Sequence, residues 1–252
     1  MIKIIDKNDE IVQYLQSSGY PQLNALNALE TYPDWIVYIY DNDITEGVII
    51  SNPDQNFFYL ATTKRQFLDE FWASLNAGEK EFSGVPANIV EIFLRDKSAF
   101  WESHCKCYAY CTSISDNFMP VISDIYTVEP LAITDAEVVD EFYTFRGDWS
   151  LEAHRESISK RDSSCVRIDD ELACWCLVHD DGSMGPIYTK EKFRRRGLAE
   201  LVYSDLAGKL IKKGKAPYFQ VNTDNNTSLT LAAKNPAIKY THDCLWFGVI
   251  KE

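Results

Sequence analysis

The sequence predicts an α/β protein, a mixed β-sheet flanked by helices, laid out as two consecutive halves. Three observations carry that expectation. Of the 252 residues, 46% are hydrophobic and 13% aromatic, enough to bury a sizeable core,. Dense β-branched and aromatic runs, such as Trp35-Ile36-Val37-Tyr38-Ile39-Tyr40, alternate with stretches of helical periodicity,. Between Met184 and Ile211 the hydrophobic period changes from strand to helix across a short basic turn,.

The amino-terminal half, residues 1–120, reads as helices at 9–15 and 23–32, an interruption at Pro33, and strands at 35–40, 47–51 and 57–61 around the polar turn Asn52-Pro53-Asp54,. Helices follow at 64–75 and 86–95, the second with Pro86 near its first turn, where the missing N–H costs nothing,. No catalytic constellation stands out in this half. Asp116, Asn117, Pro120 and Asp124 mark a soft boundary around residues 115–124,.

The carboxy-terminal half, residues 125–252, opens with a strand expected at 125–128. Thr134-x-x-Glu137 is a capping-box pattern that predicts a helix running to Phe145, and Gly147-Asp148 ends it,. A shorter helix is expected at 150–159, then strands at 164–168 and 172–179 joined at Asp169-Asp170. Asp180-Asp181-Gly182 turns into a strand at 184–189. After the central helix come a strand at 217–222, the polar run 222–226, a helix at 227–234 and closing β-structure around 246–250,.

The central junction carries the chemistry. Leu198, Leu201, Val202, Leu206, Leu210 and Ile211 recur on one helical face,. Gly214 suits the C-terminal cap, and Lys209, Lys212 and Lys213 complement the negative end of the helix dipole,. Ahead of the helix lies Lys190-Glu191-Lys192-Phe193-Arg194-Arg195-Arg196-Gly197, five basic residues and one acidic. The first N–H groups of a helix have no intrahelical partner and favour an anion. A glycine there lets the anion approach, and a diphosphate is the natural guest. Three arginines before a helix also suit a solvated turn. The surrounding strand, amphipathic helix, second strand and polar loop favour the phosphate.

A net charge of −13 argues against nucleic acid or an anionic membrane as partner,. No apolar stretch approaches the roughly 18–20 residues that span a bilayer. Asp6, Asp9 and Glu10 fit neither a secretory signal nor an acid-poor transit peptide, so a cytoplasmic location is expected,. The seven cysteines are an odd number without the spacing of a disulfide framework and read as buried reduced thiols,. His104, Cys105, Cys107 and Cys111 lack a second distant pair of ligands in the sequence, so no metal is expected,.

The order β-α-α-β-β-β-α-β-α-β with an Arg/Gly turn at its central junction resembles the Gcn5-related N-acyltransferase (GNAT) fold, whose coenzyme A motif R/Q-x-x-G-x-G/A is matched by Arg194, Gly197 and Ala199. More narrowly, the chain resembles the glycine N-acyltransferase family. That likeness rests on Thr189 with Phe193-Arg194-x-x-Gly197-Leu198, Tyr203, Lys213-x₃-Pro217-Tyr218, Val221 and Asn225. Phe142-x-x-Phe145-x-Gly147 and Ala173-Cys174-Trp175 add to it. The likeness covers about residues 125–250; Tyr32-Pro33-Asp34 echoes the family's amino half, an α/β half of related fold.

The resemblance implies an acyl donor, acyl-CoA or acetyl-CoA, and a small amine acceptor such as glycine, with a homodimer compatible. The backbone of Arg195, Arg196, Gly197, Leu198, Ala199 and Glu200 would cradle the diphosphate. Ile187, Tyr188 and Thr189 would present backbone to the pantetheine arm, and Asn225 would lie near the thiol or shape the acceptor pocket. The chemistry would be direct attack of the amine on the thioester, accelerated by proximity and by removal of the ammonium proton.

The chain departs from the family at that proton. The family's Gly-Glu-Met run supplies a glutamate base; here it is Gly182-Ser183-Met184. Ser183 cannot act as base by itself, which leaves His179, Asp180 and Asp181 nearby in sequence. The tyrosine expected in the last helix as thiolate acid is Ala232, with Tyr240 or His242 as substitutes. Two other functions stay open, a non-catalytic acyl-CoA binder and an acetyltransferase for a polyamine or protein amine, the latter suited to an acidic surface.

Overall fold

The computed structural model describes residues 1–32, 34–110 and 120–252. Pro33, Cys111 and the part of the expected boundary at Asp116 and Asn117 lie outside the described residues. The chain divides into two compact units. One comprises residues 1–108, 220–232 and 240–252, the other residues 109–219 and 233–239. The first thus holds the amino-terminal half together with two segments from the end of the chain.

In the first unit β1 (Ile2–Ile5) leads to α1 (Asp9–Ser17) and α2 (Leu23–Thr31). Strands β2 (Ile36–Tyr40), β3 (Asp43–Ser51) and β4 (Phe57–Ala61) follow, then α3 (Arg65–Ser74), β5 (Gly78–Pro86), α4 (Ala87–Phe93) and β6 (Ala99–Tyr110). The chain's last strand, β11 (Ile238–Lys251), contributes its residues from Tyr240 onward. The sheet order is β1-β2-β3-β4-β5-β11-β6, with the Gln220–Asn222 part of β10 (Tyr218–Asn222) at the edge. β4 and β5 run parallel, whereas β11 enters antiparallel to β5, Phe247 opposite Phe82 and Cys244 opposite Pro86.

Side-chain alternation builds a core on each face. Val37 and Ile39 pack with Ile11, Leu15 and Leu29, while Tyr38 and Tyr40 join Phe58, Phe67, Phe71, Phe82, Phe93 and Phe247 on the other side,. Burial on both faces explains why β2 reads as an unbroken apolar run. Asn8 caps α1, its Oδ1 accepting from Ile11 N–H at 3.0 Å,. Strand β5 is not apparent in the sequence because its first half, Gly78-Glu79-Lys80-Glu81, is charged; its pairing with β4 and β11 overrides that pattern.

The second unit contains α5 (Ala136–Glu141), α6 (Ser150–Lys160), β7 (Ser164–Ile168), β8 (Glu171–Val178), β9 (Met184–Thr189) and α7 (Leu198–Lys212). β7, β8 and β9 form an antiparallel sheet that α7 packs across. Trp175, 1% exposed, centres its core, with the rings of Phe142 and Tyr188 at 6.0 and 5.3 Å. After β10, α8 (Asn226–Lys234) precedes β11.

Two sequence expectations are corrected here. No strand forms at 125–128; Glu129 makes one isolated bridge with Cys165. The helix expected to open at Thr134 and run to Phe145 starts with a tight turn, Ile133–Asp135, in which the carboxylate reaching back to a backbone N–H is that of Asp135, accepting from Ala132 at 2.7 Å, rather than that of Glu137,. It ends at Glu141, where Asp140 enters a buried cluster with Ser150, His154 and the Arg146 guanidinium (2.8 Å). The anticipated mixed sheet with flanking helices is present, and the order β-α-α-β-β-β-α-β-α-β runs from β1 to β6 as well.

Candidate functional site

The second unit builds its site at the exit of β9. This strand pairs with β8 through Cys176 opposite Ile187, Trp175 opposite Tyr188 and Cys174 opposite Thr189. Among the described strands it is an edge, so its other side carries no partner strand. A turn at Glu191–Phe193 follows, pinned by the buried Phe193 ring. Arg195 and Gly197 then take left-handed backbone, φ +64° and +77°, before Leu198 opens α7.

Gly197 determines what can lie there. A Cβ at that position meets nothing within 4 Å, and residues 194–197 are all exposed. The helical ladder begins with Leu201 N–H to Gly197 O at 3.1 Å, so the amides of Leu198, Ala199 and Glu200 have no carbonyl four residues back to use,. The expected diphosphate seat is therefore open, and Glu200 is the sole acidic residue in the first helical turn. The basic residues divide the work. Lys190 and Lys192 both pair with Glu171. Arg194 folds back, Nε donating to Thr189 O at 3.1 Å and Nη1 lying 3.3 Å from Glu191. Among the described residues Arg195 and Arg196 have no carboxylate partner, though Arg196 lies over the Phe193 ring at 5.6 Å. Two uncommitted guanidinium groups thus flank the open amides.

At the other end of β9 the hairpin carries the titratable groups His179, Asp180 and Asp181. His179 N–H donates to Ser183 O at 2.8 Å and closes the turn. Asp181 is fully buried; its Oδ1 accepts from Ser183 Oγ–H at 2.6 Å and from Ser183 N–H at 2.9 Å. Tyr218, at the start of β10, donates to Asp181 O at 2.6 Å. Burial raises the Asp181 carboxyl above its ordinary value, only partly offset by the Ser183 bonds,. Burial likewise raises Asp180 and lowers His179 to about 4. Gly185 has no side chain to displace the His179 ring; a Cβ there would come within 2.9 Å of Nε2.

Ser183 and Asp181 are therefore brought together, while Tyr240 and Asn225 fall in the other unit. Tyr240 is half exposed beside Tyr108 and Lys106. Asn225 accepts from Ser228 N–H at 3.0 Å and serves as a cap for α8. Two residues were not singled out as site residues from sequence. Tyr218 is one. Arg161 is the other, with Nε donating to Val178 O at 2.9 Å and Nη1 buried without a hydrogen-bond partner. Tyr218 stands in the Lys213-x₃-Pro217-Tyr218 run with no role attached to it, and Arg161 in no motif; both acquire partners only through pairings that the fold creates.

The FR47-like protein family model matches residues 166–244, which include β8, β9, the Gly197 junction and α7. No curated protein matches the chain in sequence. Solved structures match over nearly its whole length. A Drosophila protein known by X-ray structure has a TM-score of 0.81 at 14% identity, covering 99% of this chain and 98% of its own. A GNAT-family acetyltransferase from Colwellia psychrerythraea has 0.57 at 14%, covering 99% of each. A tandem GNAT protein from the clavulanic acid pathway has 0.53 at 10%, covering 100% and 99%. The fold is that of the GNAT acetyltransferases, and no described helix is long and apolar enough to cross a membrane.

Proposed function

We propose that the protein is an N-acyltransferase that takes an acyl group from acyl-CoA, acetyl-CoA included, to the amine of a small acceptor such as glycine or another amino acid. The observation that carries this is the open, cation-flanked seat at Gly197, next to a strand that is an edge among the described strands. Arg195 to Glu200 would hold the diphosphate, and Ile187 to Thr189 the pantetheine arm. Bound there, acyl-CoA supplies an activated thioester.

The chain's own contribution is orientation and proton removal. On the resemblance to the glycine N-acyltransferases, Ser183 with Asp181 would take the place of that family's glutamate. As the ammonium proton of the acceptor moves to Ser183 Oγ, the hydroxyl proton moves to Asp181 Oδ1 along the 2.6 Å bond,. A carboxyl raised by burial holds that proton better than an ordinary one,. The buried, unpartnered Nη1 of Arg161 supports an acceptor bearing a carboxylate,.

A second reading, acyl-CoA binding without catalysis, is favoured by the complete burial of Asp181. Thiol release from acetyl-, benzoyl- and longer acyl-CoAs, with glycine, other amino acids and polyamines, separates the two. Amine-stimulated release supports the transferase. CoA binding with no release by any amine leaves a binder, and no CoA binding removes both.

A further inference from the structure

Three soft donors meet on neighbouring strands of the first unit. Cys107 on β6 and Cys244 on β11, 137 positions apart in the chain, place their Sγ atoms 3.4 Å from each other. His242 lies two residues before Cys244, on the same face of β11. The ligand atoms of all three lie within 4.8 Å of one another. Both thiols are buried and the imidazole is half-buried. We propose that Cys107, His242 and Cys244 form a zinc site.

The dimensions suit that ion. Zinc with Zn–S of about 2.3 Å and Zn–N of about 2.0–2.1 Å holds tetrahedral donors roughly 3.5–3.8 Å apart. The observed separations need only small side-chain shifts to reach this. Two thiolates and an imidazole are also the donors zinc prefers over oxygen ligands.

The surroundings set the imidazole for the task. Thr241 Oγ1 donates its one proton to Cys107 O at 3.2 Å and lies 3.0 Å from His242 Nδ1. In the tautomer that donates from Nδ1 to Oγ1, the lone pair on Nε2 is left for a metal. A groove of about 540 Å³, bordered by Val90, Leu94, His104, Cys105 and Leu245, reaches Cys244, while Cys107 and His242 lie outside its lining. Without a metal, the thiols sit against Cys105 and Trp246 and Cys244 Sγ donates to Gln220 Oε1 at 3.3 Å, a proton that metal binding would displace. The bound ion would join β6 to β11.

The test uses the full chain, purified under reducing conditions and stripped with a chelator. Zinc is titrated against a competing chromophoric chelator, and cobalt is added separately for its thiolate charge-transfer band. The wild type should bind one equivalent and show the band. His242→Ala should weaken binding by at least about tenfold, and Cys107→Ser with Cys244→Ser should abolish both signals. Cys105→Ser should retain them. If the double variant fails to fold, His242→Ala and Cys105→Ser still decide between a specific site and none. No zinc bound by the wild type, equal affinity in His242→Ala, or Cys107 and Cys244 joined as a disulfide under these conditions would overturn the proposal.

Discussion

Gly197 and Gly214 offer a matched pair. Both glycines flank α7, with φ of +77° and +72°, and a Cβ at either meets nothing within 4 Å. Gly197→Ala and Gly214→Ala therefore carry the same folding cost, left-handed backbone with no clash. An L-residue there costs about 1–2 kcal/mol, which lowers Tm by roughly 2–4 °C per kcal/mol for a chain of this size. Only at Gly197 does the new methyl stand beside the open amides of residues 198–200. Losing one hydrogen bond to a charged phosphate costs about 1.5–3 kcal/mol, so CoA affinity should fall about 10- to 10²-fold. Calorimetric titration of CoA into both variants, alongside thermal melts, reads the two quantities separately. Equal CoA affinity in the two variants, at equal stability loss, would refute the diphosphate seat.

The remaining predictions concern charge and packing. Arg195→Ala with Arg196→Ala should weaken CoA binding and flatten its salt dependence, because these two guanidinium groups have no carboxylate partner; titrations at low and high salt check this,. Asp181→Asn should cut amine acylation by about 10²- to 10⁴-fold while raising stability at neutral pH. Its folded pKa is raised, so its contribution to stability is full below the unfolded value and is lost as pH rises through the folded one; denaturant melts should therefore show the variant's gain fading toward pH 4,. His154 has the opposite linkage: burial lowers its pKa from 6.5, and the stability it contributes is lost as pH falls below 6.5, a slope that His154→Gln should reduce in melts across that range,. Phe247→Ala should cost about 3–5 kcal/mol in urea unfolding, since its ring stacks on Phe82 at 4.8 Å in the first unit.

Local signals explain most of what could be read from the chain. The limits of β9 and the cap at Gly214 follow from a change of period and from one glycine, and β4 from a run of aromatic residues. The open seat at Gly197 also follows locally, because strand, turn and helix are contiguous. The bonded pair of Asp181 and Ser183 is half visible in the sequence. Asp181 and Ser183 are two residues apart, but the carboxyl's burial depends on Tyr218 and the packed hairpin. The strand expected at 125–128 fails because Ile125 remains 83% exposed, with no neighbouring strand to cover it. The meeting of Cys107 with Cys244 is invisible in spacing, since it depends on a strand register set far along the chain. The sequence shows a cysteine cluster near Cys105; the fold supplies the distant donors.

The placement of β11 between β5 and β6 has a consequence for biosynthesis. The amino-terminal unit lacks an interior strand until residues 240–251 have been translated, so β5 and β6 emerge from the ribosome without the strand that lies between them. Unpaired strand edges invite pairing with other chains, and the closure is strongly non-local, pairing Cys244 with Pro86 and Lys251 with Gly78,. A nascent chain stalled before residue 240 would carry an incomplete sheet, with β5 and β6 still lacking the strand that joins them.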